Sequence, residues 1–177
     1  MLQKKKEIFL ALVTTFLSGL LGLTLVEGYY WKSGYTSLVC EICRFHPELG
    51  WENIPSKTVS NGKVTYTTNT MGMRSEEVDS SKEHILIVGD SVAFGLGVNN
   101  DDTVSYYLGK EEQISPLGYQ VLNLGVPGWG IGQYYLNLKR HIDNLNPKLI
   151  VLIIYVTNDL DETRKSDRYS ISKPMFY

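Results

Sequence analysis

Short apolar runs rich in β-branched residues recur three times in the second half of this 177-residue chain, and they constrain its fold more than any other feature. They occupy residues 84–88, 119–123 and 149–156. Runs of this length, bounded by Gly and Asn, are typical of parallel strands that are buried on both faces. The sequence therefore predicts an α/β fold built on a parallel sheet.

Helical patterns separate these runs. Asp102 or Thr103 can cap a helix over residues 104–112, and a second helix is expected over residues 132–145. The second helix is expected to place one apolar face against the sheet, formed by Ile131, Tyr134, Tyr135, Leu138 and Ile142. This alternation predicts the N-terminal half of a three-layer, flavodoxin-like sheet.

A polar motif follows each predicted strand. The motifs are Gly89-Asp90-Ser91, residues 123–128, and Thr157-Asn158-Asp159. Because the carboxyl ends of parallel strands meet at one edge of a sheet, we expect the motifs to lie close together there. Ser91 can supply a nucleophilic hydroxyl and its own N–H, while the Gly128 N–H and the Asn158 amide add two donors for an oxyanion. Taken singly, each motif is an ordinary turn or strand-end cap, so the prediction depends on all three occurring in order.

In this order the motifs resemble the sequence blocks of the SGNH (GDSL) hydrolase family. The resemblance implies that Ser91 is the catalytic nucleophile, that Gly128 and Asn158 are oxyanion donors, and that the substrate is an acyl ester. Residues 47–51 and 69–74 also look like the lead-in of membrane-anchored bacterial members, so the match covers roughly residues 46–177. Thr157 departs from the family pattern, which commonly has Gly there. No metal or organic cofactor is implied.

The catalytic base of that family has no counterpart in the sequence. The family's last block carries an Asp and a His near the C-terminus, whereas His46 and His84 precede Ser91 and His141 lies late on a helix. Asp159, Asp161 and Glu162 are the carboxylates that would have to substitute. General-base assistance typically contributes about 10²–10⁴ in rate, so we expect impaired hydrolysis.

The end of the sequence also suggests an incomplete sheet. Residues 149–156 are apolar on both faces and would be central in a full sheet, yet no fourth strand follows to cover them. Residues 169–177 show no closing element. We therefore expect a partial hydrolase domain whose C-terminal half is a missing partner.

The N-terminus predicts a membrane anchor. Three lysines in residues 1–6 precede a 19-residue stretch without charge at 8–26. Such a helix is long enough for the hydrocarbon core, and the lysines favour a cytoplasmic N-terminus. The predicted order is a cytoplasmic tail at 1–6, an anchor at 7–27, an extracytoplasmic lead-in at 28–83 and the partial hydrolase domain at 84–177. This organisation indicates a single-pass protein of the cytoplasmic (inner) membrane.

Within the lead-in, Asn61-Gly62 predicts a two-residue hairpin turn, and residues 76–83 are expected to be a linker. Cys40 and Cys43 are either two thiols or one bridge, because no second pair completes a zinc site. The chain has 17 basic and 19 acidic residues, and three of the basic ones precede the anchor. This balance gives no indication of a nucleic-acid partner.

Two alternative functions stay open. One is an O-acyltransferase that acts on a cell-surface polysaccharide, supported by the aromatic residues Trp129, Tyr134 and Tyr135 near the predicted site. The other is a non-catalytic, membrane-anchored remnant that only binds or scaffolds.

Overall fold

The computed structural model describes residues 2–32, 41–112, 114–169 and 171–175. The chain divides into two units, residues 1–37 and residues 38–177, which we describe separately.

The first unit is a single helix, α1, over Leu2–Lys32. Its segment Gln3–Tyr29 is 27 residues long and apolar enough to cross a membrane, although a signal sequence has the same properties. At about 1.5 Å per residue this segment exceeds the roughly 30 Å of a hydrocarbon core. The hydroxyls of Thr14, Thr15 and Ser18 donate to carbonyl oxygens one turn earlier, so these polar groups are satisfied within the helix.

The second unit contains the predicted parallel sheet. Its strands are β5 (His84–Val88), β6 (Gln120–Asn123) and β7 (Leu149–Leu152), in the order β6-β5-β7. Ile85 pairs with Val121 on one side and with Leu149 on the other, both in parallel. Every residue of β5 is buried, as expected for the central strand. The mixed α/β architecture and the parallel three-stranded sheet are therefore confirmed.

The helices of this unit are α2 (Ser91–Phe94), α3 (Val104–Lys110), α4 (Ile131–Leu145) and α5 (Asp159–Arg164). Two short 3₁₀ turns, Asn100–Asp102 and Ser115–Leu117, complete the connections. Thr103 caps α3 by accepting the Tyr106 N–H, which agrees with one of the two predicted caps. α3 connects β5 to β6, and α4 connects β6 to β7 on the other side of β5. Right-handed crossovers place two such helices on opposite faces of the sheet.

The predicted buried face of α4 is partly wrong. Tyr135 is 58% exposed and Ile142 is 39% exposed. The residues that α4 buries are Gln133, Tyr134, Asn137 and Leu145. Two of them are polar because the neighbouring surface is polar: the Gln133 amide, for example, donates to the Leu49 carbonyl oxygen at 2.7 Å.

The lead-in folds as two antiparallel hairpins, β1 (Cys43–His46) with β2 (Gly50–Asn53) and β3 (Thr58–Ser60) with β4 (Thr65–Thr67). The predicted two-residue turn is wrong, because Ser60 pairs with Thr65 and leaves a four-residue loop. The Asn61 side chain stabilises that loop by accepting the Lys63 and Val64 N–H groups. Residues 76–83, the expected linker, run to β5 and are held to β6 by the Gln120 side chain.

The lead-in and the sheet share one hydrophobic core. Trp51 of β2 and Trp129 are almost completely buried, and each indole N–H is bonded. The Trp51 Nε1 donates to the Pro127 carbonyl oxygen at 2.9 Å, and the Trp129 Nε1 donates to the Trp51 carbonyl oxygen at 3.0 Å. These two bonds fix β2 against the loop that follows β6.

A closing element is present at the end of the described chain, contrary to expectation. Strands β8 (Asp167–Arg168) and β9 (Ile171–Ser172) form a short hairpin. It contacts the first lead-in hairpin, and the Tyr169 ring meets the Trp51 ring edge-on with centroids 5.6 Å apart. β7 nevertheless lies at the edge of the described sheet with Leu149 and Leu152 exposed on its surface, as the apolar pattern suggested.

Arg74 anchors the chain segment that follows Ser91. Its guanidinium lies against the stacked Tyr66 and Phe94 rings, 4.6 and 4.8 Å from their centroids. It donates to the carbonyl oxygens of Phe94, Gly95 and Val98. Burial lowers the pKa of Arg74 to about 10, which still leaves it charged at neutral pH.

Replacement of Arg74 by Met should lower the free energy of unfolding by at least about 3 kcal/mol, because several buried carbonyl oxygens lose a charged donor. The matched control is Arg44→Met, since Arg44 is 53% exposed in a surface ion pair with Glu52 and should cost less than about 1 kcal/mol. Urea unfolding of the two variants in detergent measures the difference. Equal losses would show that the buried bonds of Arg74 contribute no more than a surface pair.

Candidate functional site

The strand order places the three motifs at the same end of the sheet. The chain passes from β5 to β6 on one side and then to β7 on the other, so the direction of winding reverses at β5. Ligands of open α/β sheets bind at the carboxyl ends of the strands beside such a reversal. Ser91 follows β5, Gly128 lies in the loop after β6, and Asn158 lies in the loop after β7.

Ser91 lies at the first position of α2, and Asp90 caps that helix. The Asp90 Oδ1 accepts the Val92 N–H at 2.8 Å, and its Oδ2 accepts the Ser91 hydroxyl at 3.2 Å. Gly89 permits the tight approach of this turn, because a Cβ there would lie 2.6 Å from the Ile153 carbonyl oxygen. The nucleophile candidate is thus held in a defined turn that touches the chain after β7.

Asn123 ties the Ser91 turn to the loop after β6. Its completely buried amide donates to the Ala93 carbonyl oxygen at 2.8 Å and to the Ser105 hydroxyl at 3.0 Å. Its Oδ1 accepts the Gly125 N–H at 2.9 Å. The first residue of the second motif is therefore a structural clamp between two motifs.

Gly128 has a φ of +80°, a conformation that favours glycine. A Cβ at this position would lie 2.9 Å from the Tyr169 hydroxyl oxygen and 3.1 Å from the Arg168 Nε. The β8–β9 hairpin therefore packs directly against Gly128. No pattern in the sequence predicted this contact, since a hairpin was not expected there.

Asn158 precedes α5 at the capping position, but its side chain makes no capping bond. The Oδ1 is buried and has no hydrogen-bond partner among the described residues. Asn is favoured at this position because it normally bonds to the first turn of the helix. Here the amide is left for another partner.

The three predicted oxyanion donors share one property within the described part of the chain. Neither the Ser91 N–H, nor the Gly128 N–H, nor the Asn158 amide donates a hydrogen bond to another described residue. Gly128 is buried, whereas Ser91 and Asn158 are partly exposed. The three donors are therefore available to a ligand oxygen or to solvent at this end of the sheet.

Two buried acids and a tyrosine lie at this end of the sheet. Asp90 and Asp159 have no exposed surface, and Tyr134 of α4 is 1% exposed. Burial and then the Asp90 charge raise the pKa of Asp159. Burial, followed by the charges of Asp159 and Asp90, raises the pKa of Tyr134 well above its usual range. The sequence indicated Asp90 as a motif residue and Asp159 as a motif residue and candidate substitute base, and it did not predict that they meet.

The three histidines lie away from Ser91 and make other contacts. The His84 ring bonds to the carbonyl oxygens of Leu145 and Asp79 at the opposite end of β5. The His46 Nδ1 accepts N–H groups in the β1–β2 turn, and His141 lines a small cavity beside Glu52. Burial lowers the pKa of His141, and Arg140 lowers it further. In the described part of the chain, the contacts of all three histidines are therefore with residues other than Ser91.

The proposed carboxylate substitutes have other roles. Asp161 is exposed. The Glu162 side chain is 3% exposed and bonds to Lys165 at 2.7 Å, to Arg168 at 2.5 Å and to Lys173 at 3.0 Å. Burial alone would raise the pKa of Glu162, but the bonds from Lys165 and Lys173 lower it below its ordinary value. Glu162 is therefore a buried anion at the centre of an ion cluster.

The aromatic residues named in support of sugar binding are mostly unsuitable. Trp129 and Tyr134 are buried, and of the three only Tyr135 is exposed. Tyr169, 39% exposed beside Gly128, is the aromatic residue that the prediction missed.

Potential metal ligands are dispersed. The described residues contain no group of three or more His, Cys, Asp or Glu side chains able to hold a metal ion. Cys40 lies outside the described residues, and Cys43 in β1 contacts Asn53 at 3.8 Å. The predicted thiols or bridge therefore stay untested.

Comparison with models of known protein families and with curated proteins finds no match for this chain.

Replacement of Gly128 by Ala should destabilise the protein by about 1–3 kcal/mol, because the residue needs a positive φ and the added methyl meets Tyr169. The control is Gly62→Ala, which has a similar positive φ of +82° but open space around it. A larger loss for Gly128→Ala in urea unfolding isolates the contact with the hairpin. Equal losses would mean that only backbone conformation matters.

Replacement of Glu162 by Gln should cost about 3 kcal/mol at pH 7, because the buried Lys173 ammonium loses its counter-ion. A folded pKa below the ordinary value means that this stabilisation is complete above about pH 4.5 and is lost as the pH falls through the folded pKa. The difference between wild type and variant should therefore shrink in acid. Glu83→Gln, which removes an exposed pair with Lys148, is the control and should cost less than about 1 kcal/mol.

Proposed function

We propose that this chain is the nucleophile-bearing part of an SGNH-type serine ester hydrolase that acts on acyl esters outside the cytoplasmic membrane. In this proposal α1 is an uncleaved anchor with its N-terminus in the cytoplasm, and the parallel sheet is half of a flavodoxin-like fold. One observation carries the proposal. The Ser91 hydroxyl lies at the end of the sheet where three donors, the Ser91 N–H, the Gly128 N–H and the Asn158 amide, have no hydrogen-bond partner among the described residues.

The chemistry follows from these groups. The Ser91 Oγ attacks the acyl carbonyl carbon, and the carbonyl oxygen becomes an oxyanion bound by the Ser91 N–H, the Gly128 N–H and the Asn158 amide. The alcohol leaves with a proton, and water then releases the acid from the acyl-enzyme. Asn158 is a neutral donor, which suits an oxygen whose charge develops only in the transition state.

The proton of Ser91 needs a base that the described residues do not offer. Asp90 accepts the Ser91 hydroxyl at 3.2 Å, but it also caps α2. In our proposal the base comes from another polypeptide segment, which the exposed apolar strand β7 would suit as a neighbour.

A transferase is the second candidate, and one contact favours it. Tyr169 is partly exposed beside Gly128, and the Arg168 guanidinium stacks on it at 5.0 Å. An exposed ring next to an oxyanion donor can hold a sugar acceptor in place of water. Transfer of the acetyl group to an added oligosaccharide, detected by mass spectrometry, would distinguish this candidate from hydrolysis.

The full chain in detergent should hydrolyse p-nitrophenyl acetate slowly, and added imidazole should increase the Ser91-dependent part of the rate by acting as the base. Ser91→Ala should abolish that part. Asn158→Asp should reduce it about 10²–10³-fold, because an oxyanion donor is replaced by an anion. Asn144→Asp, on the exposed side of α4, is the control for the charge change and should react like wild type.

The rates of the wild type and of the Ser91→Ala variant decide between the candidate classes. Equal rates at every imidazole concentration, in samples with the same circular dichroism, would contradict the hydrolase proposal. That result would favour the non-catalytic, membrane-anchored alternative.

A further inference from the structure

Two carboxyl groups meet next to Ser91. Asp90 follows β5 and Asp159 begins α5, and both are fully buried. Asp159 is in hydrogen-bonding contact with both the Tyr134 hydroxyl and Asp90. Among the described residues no Lys, Arg or His side chain bonds to either carboxyl group.

Three of the four carboxyl oxygens have conventional donors. The Asp90 oxygens accept the Val92 N–H and the Ser91 hydroxyl, and the Asp159 Oδ2 accepts the Tyr155 N–H at 2.7 Å. The fourth oxygen, Oδ1 of Asp159, is buried and has no partner among the described residues. An anionic oxygen in that position is strongly disfavoured, whereas a protonated one can donate to the adjacent Asp90.

The electrostatics of the two carboxyl groups also place one proton on Asp159. Two buried carboxylates in contact, with no cation from the described residues bonded to them, do not both ionise, and the pair shares one proton. Burial and the Asp90 charge raise the pKa of Asp159, which makes it the protonated member. Tyr134 faces the pair from α4 and is neutral, and the Tyr155 N–H faces it from the chain after β7.

We propose that Asp90 and Asp159 hold one proton between them, carried on the Oδ1 of Asp159, and that Asp159 is a positioning residue for the candidate site. Asp90 is then the acceptor of three hydrogen bonds, from Asp159, Ser91 and Val92. Because Asp159 directly follows Asn158, the shared proton fixes the Asn158 loop to the Ser91 turn. The acid pair is argued from the burial of both carboxyl groups and the unpartnered Asp159 Oδ1 together with their contact, whereas its importance for Ser91 rests on the proposed function.

The contribution of the acid pair to the free energy of unfolding should change with pH in the opposite direction from that of the Glu162 cluster. A folded pKa above the unfolded value means that the stabilisation is complete below the unfolded pKa of about 4 and is lost as the pH rises through the folded pKa. Across that window the unfolding equilibrium constant of the wild type should increase up to about tenfold per pH unit, relative to a variant that cannot ionise.

Asp159→Asn is that variant, because its amide keeps the shape and can donate to Asp90 without losing a proton. Urea unfolding of the full chain in detergent between pH 4 and pH 8 should show the wild type losing stability relative to Asp159→Asn. Asp101→Asn, an exposed carboxyl in the first 3₁₀ turn, should follow the wild type. Parallel profiles for wild type and Asp159→Asn would overturn the shared proton.

A spectroscopic measurement gives a second test that does not depend on the folding of a variant. Infrared spectroscopy of the wild type should show the C=O stretching band of a protonated carboxylic acid above pH 5, where ordinary Asp and Glu side chains are ionised. Its absence would overturn the proposal. Its loss in Asp159→Asn would assign the band to Asp159.

The positioning role is tested with the imidazole-assisted turnover of p-nitrophenyl acetate. Asp159→Asn should retain the Ser91-dependent rate within about threefold, and Asp159→Ala should lose most of it, because only the amide can hold Asp90. Equal rates for the two variants would contradict the positioning role. Absence of Ser91-dependent turnover in the wild type would instead contradict the proposed function, while the pH profile and the infrared band would still decide the acid pair.

Discussion

The position of Ser91 depends on how the turn after β5 is held, and two buried side chains hold it from different elements. Asn123 of β6 donates to the Ala93 carbonyl oxygen, and Arg74 of the lead-in donates to the carbonyl oxygens of Phe94, Gly95 and Val98. Backbone carbonyls are fixed acceptors, so these bonds restrict the turn more than contacts between flexible side chains would. The lead-in is therefore necessary for the site, since a sheet that began at residue 84 would lack Arg74.

The buried carboxyl group of Glu162 and those of the Asp90–Asp159 pair are stabilised in opposite ways. Around Glu162 it gathers Lys165, Arg168 and Lys173, so the carboxylate is ionised and compensated. Around Asp90 and Asp159 it provides no cation bond among the described residues, so a proton takes the place of the cation. The first arrangement holds the β8–β9 hairpin, and the second lies next to Ser91. A cation in the second position would neutralise the acceptor that orients the Ser91 hydroxyl.

The three strands, their parallel arrangement and the Thr103 cap were predictable, because each depends on a local pattern of apolar residues or on one capping side chain. The errors come from contacts between distant segments. Gln133 and Asn137 are buried on α4 because the lead-in offers polar partners, which helical periodicity does not reveal. Ser91, Gly128 and Asn158 do lie in the segments that follow the three strands, but the predicted strand 149–156 ends at Leu152, so Asn158 comes six residues after it. The meeting of Asp90 with Asp159 arises from neighbouring strands, and the two residues are 69 positions apart in the sequence.

The proposed reaction needs oxyanion donors and a base, and the described residues offer candidates for the donors only. The proposed donors for an oxyanion belong to the segments that follow β5, β6 and β7, and contacts within the described chain hold all three of these segments. A base must approach the Ser91 hydroxyl from outside these segments, because the Asp90 side of the hydroxyl is already occupied. β7 presents exposed apolar residues and forms one edge of the described sheet on the side of Asn158. A segment that paired there in parallel would extend the sheet and bring its own carboxyl end to the side of Asn158, where the proposed mechanism needs a base for Ser91.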